Sequence, residues 1–246
     1  LLTKNTDVAH GVNTQIELAQ ATQKAFRLHG ERLMNAGVIM IDPATTYIED
    51  TVVIGAGSVI YPGAYLRGQT AIGAFTVTEP NCLITDSIIG ESVHIKAGSY
   101  VEKVIIKNKA AIGPYARLRP DTVIGESAQV GNFVEMKKVN FGAKSKASHL
   151  SYLGDAEIGE EVNIGCGTIT CNYAADKKKY KTVIGDRVFV GSDTQLIAPV
   201  TVESDSIIAS GTTVTKNVPA GSLALSRTPQ VNKEGYAKKF MKSSES

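Results

Sequence analysis

The amino-acid sequence predicts a mainly β fold, a parallel β-helix of hexapeptide repeats preceded by one long α-helical arm. Three observations carry that expectation. Aliphatic residues recur every six positions from Ile48 onward, glycine directly follows many of them, and the stretch before them places its apolar residues at alternating steps of three and four. A two-residue alternation would mean ordinary strands and a seven-residue one a coiled coil.

The arm comes first. Val12, Ile16, Ala19, Phe26 and Leu33 form a helical stripe interrupted only by Gln23 and Gly30. Thr14 and Glu17 have capping-box spacing at its start, and Gly37 followed by Asp42-Pro43 makes a stop. The stripe is narrow and Gly30 weakens it, so this helix needs a neighbouring surface.

The repeats follow. Ile48, Ile54, Ile60, Leu66 and Ile72 open the series, Ile112, Leu118, Ile124, Val130 and Met136 continue it, and Ile184, Val190, Leu196, Val202, Ile208 and Val214 close it, with phase slips between. Each hexad supplies a short strand and a turn, with the aliphatic side chain pointing inward. No single hexad can bury that side chain, so coils must stack aliphatic on aliphatic at about 4.8 Å. About 170 residues then make about nine coils, a prism on the order of 45 Å long. Triangular coils of three hexads are the left-handed version that such sequences resemble, an exception to right-handed crossover. Two slips exceed whole coils: Met136 to Ile158 is 22 residues and holds His149, and Ile164 to Ile184 is 20 and holds Asn172, Tyr173 and a lysine run. Both predict extruded loops, and chemistry concentrates on loops held by a rigid scaffold.

Composition bounds the partners. Of 246 residues 43% are hydrophobic and 20% charged, and the net charge is +2, which gives no field for nucleic acid or an anionic membrane. There is no apolar run long enough to span a bilayer and no export signal. Three cysteines without metal-ligand spacing point to free thiols in the cytoplasm. The start at Leu1 rather than Met points to a fragment.

Among residues able to carry chemistry, His149 is the candidate general base, since imidazole accepts a proton near neutrality; the alternative is a loop histidine bonded to backbone. His10 and His29 in the arm and His94 on an early coil read as surface residues. With only His94 and His149 in the repeats, a metal-bound histidine cluster of the carbonic anhydrase kind is disfavoured. Arg119, Lys137, Lys138 and Lys179 gather positive charge suited to a phosphate-bearing substrate, or else form a solvated face. Glu135 either holds a histidine tautomer or pairs with a lysine. Cys166 and Cys171 fall at small-residue positions near the core, against a nucleophilic role.

Three long strings are specific: Arg117-Leu118-Arg119-Pro120, Gly131 to Lys138, and Ser145-Lys146-Ala147-Ser148-His149-Leu150-Ser151-Tyr152-Leu153-Gly154-Asp155-Ala156-Glu157. Asn163 to Tyr173 and Val188 to Gln195 extend them. Together they resemble the acetyltransferase part of the bacterial bifunctional N-acetylglucosamine-1-phosphate uridyltransferase/glucosamine-1-phosphate acetyltransferases, over nearly the whole chain. The resemblance implies acetyl transfer from acetyl-CoA to the amine of glucosamine 1-phosphate, on the route to UDP-N-acetylglucosamine for peptidoglycan and lipopolysaccharide. It implies His149 as base, Glu135 orienting it, Arg119, Lys137 and Lys179 on the sugar phosphate, and Tyr152 and Asn163 on the sugar. Cys166, Asn172, Tyr173, Ser192, Ser210 and Arg227 would line the acetyl-CoA groove, with N–H groups around Cys166 and Tyr173 steadying the oxyanion. A homotrimer with sites between subunits is implied as well.

The same resemblance divides the chain. Residues 1–12 would be a remnant of an absent uridyltransferase domain, 13–37 its linker helix, 38–227 the left-handed β-helix acetyltransferase domain, and 228–246 a C-terminal tail in which lysines attract CoA phosphates or are simply solvated. Asn13 would be a Mg²⁺ ligand orphaned from the uridyltransferase site, so uridyl transfer is not expected of this stretch. The sequence departs from the family pattern at Ser148 in place of Gly, at Cys166 in place of Ala, and in the longer lysine-bearing loop, where Lys177 and Lys178 compete with Lys179. The alternatives are a non-catalytic trimeric scaffold and an acyltransferase with another acceptor.

Overall fold

The computed structural model describes residues 11–240. Most of the stretch read as a domain remnant, together with His10 and the tail's Lys242, lies outside them. The helix α1 (Gln15–Asn35) opens on a complete capping box: the Thr14 hydroxyl accepts from Glu17 N, and Glu17 reaches back to the Thr14 N–H. Its inner face buries His29, Gly30 and Leu33, and Phe26 meets Tyr47 and Tyr65 edge-on at 5.6 and 6.3 Å. His29, expected on the surface, is therefore a core residue, with Nε2 3.2 Å from Val52 O. At Gly30 the helix packs close to the first strand, since a Cβ there would stand 3.4 Å from Met40 Sδ.

From Ile39 onward every strand pairs in parallel with the strand one coil away, and the coils build a left-handed β-helix. Three ladders form three faces. The first runs through Val59, Val77, His94, Ala111, Gln129, Lys146, Asn163 and Phe189. The second runs through Tyr65, Leu83, Tyr100, Arg117, Glu135, Tyr152, Ile169 and Gln195. The third passes through Ile88, Ile105, Val123, Asn140, Glu157 and Val183. Inside, Leu118, Met136 and Leu153 stack on one face, and Ile124, Phe141 and Ile158 on another, all buried.

At the corners the chain adopts positive φ even without glycine, as at Phe133, Lys138, Lys144, Leu150 and Asp155. Left-handed backbone costs about 1–2 kcal/mol per residue, and the continuous ladder on both sides holds it there. These tight corners let a coil close in 17 residues as well as 18.

That corrects one expectation. Residues 129–141 and 146–158 form two long strands in unbroken register, from Gln129 opposite Lys146 to Phe141 opposite Ile158. His149 lies on the second of them, opposite Asn132, and not on an extruded loop. Met136 and Ile158 belong to different faces, so the interval between them does not measure an insertion. The second expected loop is present: Ile169 stacks on Gln195, a step far longer than one coil, and the excess leaves the helix as 172–181.

Candidate active site

The second face collects much of the sequence-predicted set. Arg117 stacks under Glu135, which stacks under Tyr152, while Arg119 N donates to Met136 O and so places Arg119 beside Lys137. Arg119 Nη1 donates to Glu135 Oε1 at 2.7 Å, each side chain about one third exposed. Lys137 stands opposite Gly154, whose missing side chain opens a cradle: a Cβ there would lie 2.6 Å from Tyr152 Oη and 2.8 Å from Asn172 Nδ2. The space a side chain at 154 would fill is taken by the Tyr152 hydroxyl and the Asn172 amide. Thr170, buried beneath, ties that backbone down by accepting from Gly154 N at 2.7 Å and donating to Gly154 O at 3.0 Å.

The extruded loop rises at the corner between the second and third faces. Asn172 Nδ2 donates to Asp155 Oδ2, and Lys179 Nζ lies 3.9 Å from the same oxygen. Within the loop, Asp176 accepts from Tyr180 Oη at 2.6 Å and from Lys178 N at 2.9 Å. The Tyr180 hydroxyl holds the Asp176 carboxyl below its usual range, and the carboxylate in turn raises the tyrosine. Lys179 returns toward the helix, pairing across the loop with Tyr173, whereas Lys177 and Lys178 stand exposed at the tip. A groove of about 540 Å³ runs beside the loop, lined by Lys138, Asp155, Glu157, Lys179 and Lys181. Lys181 donates to Glu157 at 2.7 Å and keeps that carboxyl below its ordinary range.

His149 stands at the opposite corner of the second face. Backbone hydrogen bonds from Gly167 N to Leu150 O, Asp193 N to Cys166 O and Gly211 N to Ser192 O carry its column upward through Cys166, Ser192 and Ser210. Beside it runs a column of minimal side chains, where a Cβ on Gly165 would strike Gly191 and one on Gly191 would strike Ser210. The absent side chains let successive coils pack backbone on backbone along this column beside His149. Exposed Tyr115, Phe133 and Leu150, all at positive φ, border the histidine, and the two rings stack at 5.8 Å. Asn163 lies on the first face and Arg227 is exposed beyond the last coils, so neither meets the Arg119–Glu135–Lys137 group within one protomer.

The sequence placed Cys166 and Cys171 near the core; both are half-exposed, and it is Cys82 that is buried, its thiol pushed up to about 11 by that burial. Asn13 is exposed, with its N–H on Glu17 Oε2 at 2.7 Å, and no group of three His, Cys, Asp or Glu side chains among the described residues could hold a metal. Asp155 escaped the sequence reading, because its pairing with Asn172 spans one coil of 17 residues and only the closed coil brings the two together.

The bacterial transferase hexapeptide family (six repeats) matches residues 181–216. The bifunctional protein GlmU of Bdellovibrio bacteriovorus is 63% identical over 238 residues, covering 97% of this chain and 52% of that protein. Its counterpart in Trichlorobacter lovleyi is 52% identical over 233 residues, with 95% and 50% covered. The chain spans about half the length of the curated relatives it matches. Among solved structures, the UDP-N-acetylglucosamine acyltransferase of Francisella novicida shares the fold at a TM-score of 0.53 and 16% identity, over 83% of this chain and 75% of that one. The chain is strongly homologous to the bacterial GlmU proteins in their acetyltransferase region.

Proposed function

We propose that this homology extends to chemistry, and that the chain transfers the acetyl group of acetyl-CoA to the amine of glucosamine 1-phosphate, giving N-acetylglucosamine 1-phosphate. The observation that carries the reading is the gathering of Arg119, Glu135, Lys137 and Tyr152 on one face beside His149, in a chain 63% identical to a GlmU protein. Arg119, Lys137 and Lys179 hold the sugar phosphate, and Tyr152 and Asn163 the sugar. His149 takes a proton from the amine as its nitrogen attacks the thioester carbonyl. The tetrahedral adduct then collapses, the C–S bond breaks, and the CoA thiolate leaves and takes up the proton held by the imidazolium.

The reading includes a homotrimer, and the geometry favours a site shared between protomers. His149 and the Cys166 N–H sit at one corner of the second face, Asn172, Tyr173 and Lys179 at the other, and the strand between spans on the order of 15 Å. One small acceptor does not bridge that span, so the loop of one protomer serves the histidine corner of the next. The enzyme is read as cytoplasmic. Uridyl transfer and its Mg²⁺ belong to the other half of the relatives and enter no step here.

The test is thiol release from acetyl-CoA with glucosamine 1-phosphate, with glucosamine, and with no acceptor. Release that requires the phosphorylated sugar supports the reading; a trimer that releases none points to the scaffold alternative. His149→Ala lowers turnover by roughly two to four orders of magnitude with the oligomer intact, and near-normal turnover in that variant removes His149 as base.

A further inference from the structure

Glu135 is placed between two partners. It stands in the coil between Arg119, one coil below, and His149, one coil above, and its carboxylate is on Arg119. The His149 ring makes no hydrogen bond to any of the described residues, and its neighbour in register is Asn132. Glu135 and His149 are separated by one coil and one corner, roughly 8–10 Å between Cα atoms, within the joint reach of a glutamate and a histidine side chain. At about one third exposed, the Glu135 side chain is not enclosed by the core and has solvent-side space to turn into. Arg119 meanwhile belongs to the cationic set that a phosphate would engage.

We propose that Glu135 is a positioning residue with alternating partners: without a dianion it pairs with Arg119, and when a phosphate occupies Arg119 it turns to the His149 ring. The inference rests on the acetyl-transfer reading and deepens it, because the acceptor's phosphate then does more than bind. It completes the base. A phosphate is the stronger partner for a guanidinium, being doubly charged and able to accept two parallel N–H bonds. The displaced carboxylate, left in a partly dry pocket, finds its compensation in a ring N–H, and that hydrogen bond fixes the tautomer whose other nitrogen faces the amine. Charge moves coherently: one anion arrives at Arg119 and one anion leaves for the imidazole.

Two measurements test it, with phosphite as the dianion. The first follows acetyl transfer to unphosphorylated glucosamine as phosphite is added. The expected result is a rise in kcat/KM of about tenfold or more in the wild type, lost in Arg119→Ala and in Glu135→Gln. The second follows the ring nitrogen resonances of His149, identified by their loss in His149→Gln, and needs no turnover. Phosphite or glucosamine 1-phosphate should move one ring nitrogen toward the position of a hydrogen-bonded N–H in the wild type, and leave it unmoved in Glu135→Gln. If glucosamine 1-phosphate is acetylated but the resonances ignore both anions, or if either response survives in Glu135→Gln, the alternation is wrong while the acetyl-transfer reading stands. Resonances that respond in a protein without acetyltransferase activity would keep the alternation and sink the reading.

Discussion

Gly154→Ala tests the space that the Tyr152 hydroxyl and the Asn172 amide occupy above the Gly154 backbone. Its φ is not positive, and its N–H and C=O remain bonded to Thr170, so the backbone tolerates alanine. The new Cβ would stand 2.6 Å from Tyr152 Oη and 2.8 Å from Asn172 Nδ2, well inside contact distance. Both atoms are far ends of side chains and must retreat by roughly 0.8 Å to reach an ordinary separation. Tyr152 can yield toward solvent, but Asn172 is buried and its amide is held by Asp155, so the shift also strains the loop's anchor and costs about 1–3 kcal/mol. Rate is more sensitive: misplacing a positioning group by about 1 Å costs up to 10²-fold. The expected outcome is a loss of about 10- to 100-fold in kcat/KM for glucosamine 1-phosphate, or ~1.4–2.7 kcal/mol, with KM for acetyl-CoA affected less. The assay is thiol release at varied acceptor, alongside a urea melt. A folded variant within twofold of wild type in kcat/KM would show that the Tyr152 tip has no part in holding the acceptor.

Further outcomes follow from the same packing. Gly30→Ala should stabilise the protein by about 0.5–1 kcal/mol, since α1 gains propensity and the Cβ meets only the flexible end of Met40, Sδ at 3.4 Å and Cε at 3.5 Å; a lower melting temperature would mean the helix sits closer than that. Leu153→Ala, emptying a fully buried position beneath the Tyr152–Gly154 face, should cost about 2–5 kcal/mol in a denaturant melt, and a loss below 1 kcal/mol would mean that the coils collapse onto the cavity. Burial raises Cys82 from its ordinary 9.0 to about 11, so the unfolded chain loses this proton first. The stability it contributes is complete below pH 9 and falls away up to pH 11, by roughly 3 kcal/mol in all. Cys82→Ala should remove that part of the alkaline slope, and an identical slope in both proteins would contradict it.

The six-residue recurrence made the β-helix legible because every coil must put an aliphatic side chain on each of three inner faces, and Ile60, Leu66 and Ile72 do so in succession. It failed where the inner residue is not a large aliphatic. Thr78, Ala147 and Thr170 are buried at such positions, and skipping them makes the series seem to slip. Corners at positive φ also shed one residue from some coils, which no hydrophobic period reveals; together these effects turned the strand carrying His149 into an expected loop. The real loop was legible because nothing else absorbs so many residues between Ile164 and Ile184. Lateral pairings were not. Glu135 finds Arg119 across 16 residues and Asp155 finds Asn172 across 17, separations set by the length of a coil and therefore known only once the coil has closed.

The regular coil also explains how the candidate site is distributed. A β-helix gives each face the same few outward positions on every coil, so a cluster can only be a vertical column or a short run along one strand. Arg119, Glu135, Lys137 and Tyr152 use both directions, while His149, Cys166, Ser192 and Ser210 use a column alone. Neither arrangement encloses a ligand, because every outward side chain leaves a convex prism. Enclosure needs something that departs from the prism, and the excursion 172–181 is the longest departure between the first coil and the last. It is anchored at its root by Asp155, through Asn172 and Lys179, on the corner away from His149. An anchored loop pointing away from its own histidine makes sense as a wall for a neighbour. Dilution below the assembly range should therefore abolish acetyl transfer while each chain keeps its coils, with circular dichroism unchanged; activity that persists in a protein sedimenting as a monomer would contradict the shared site.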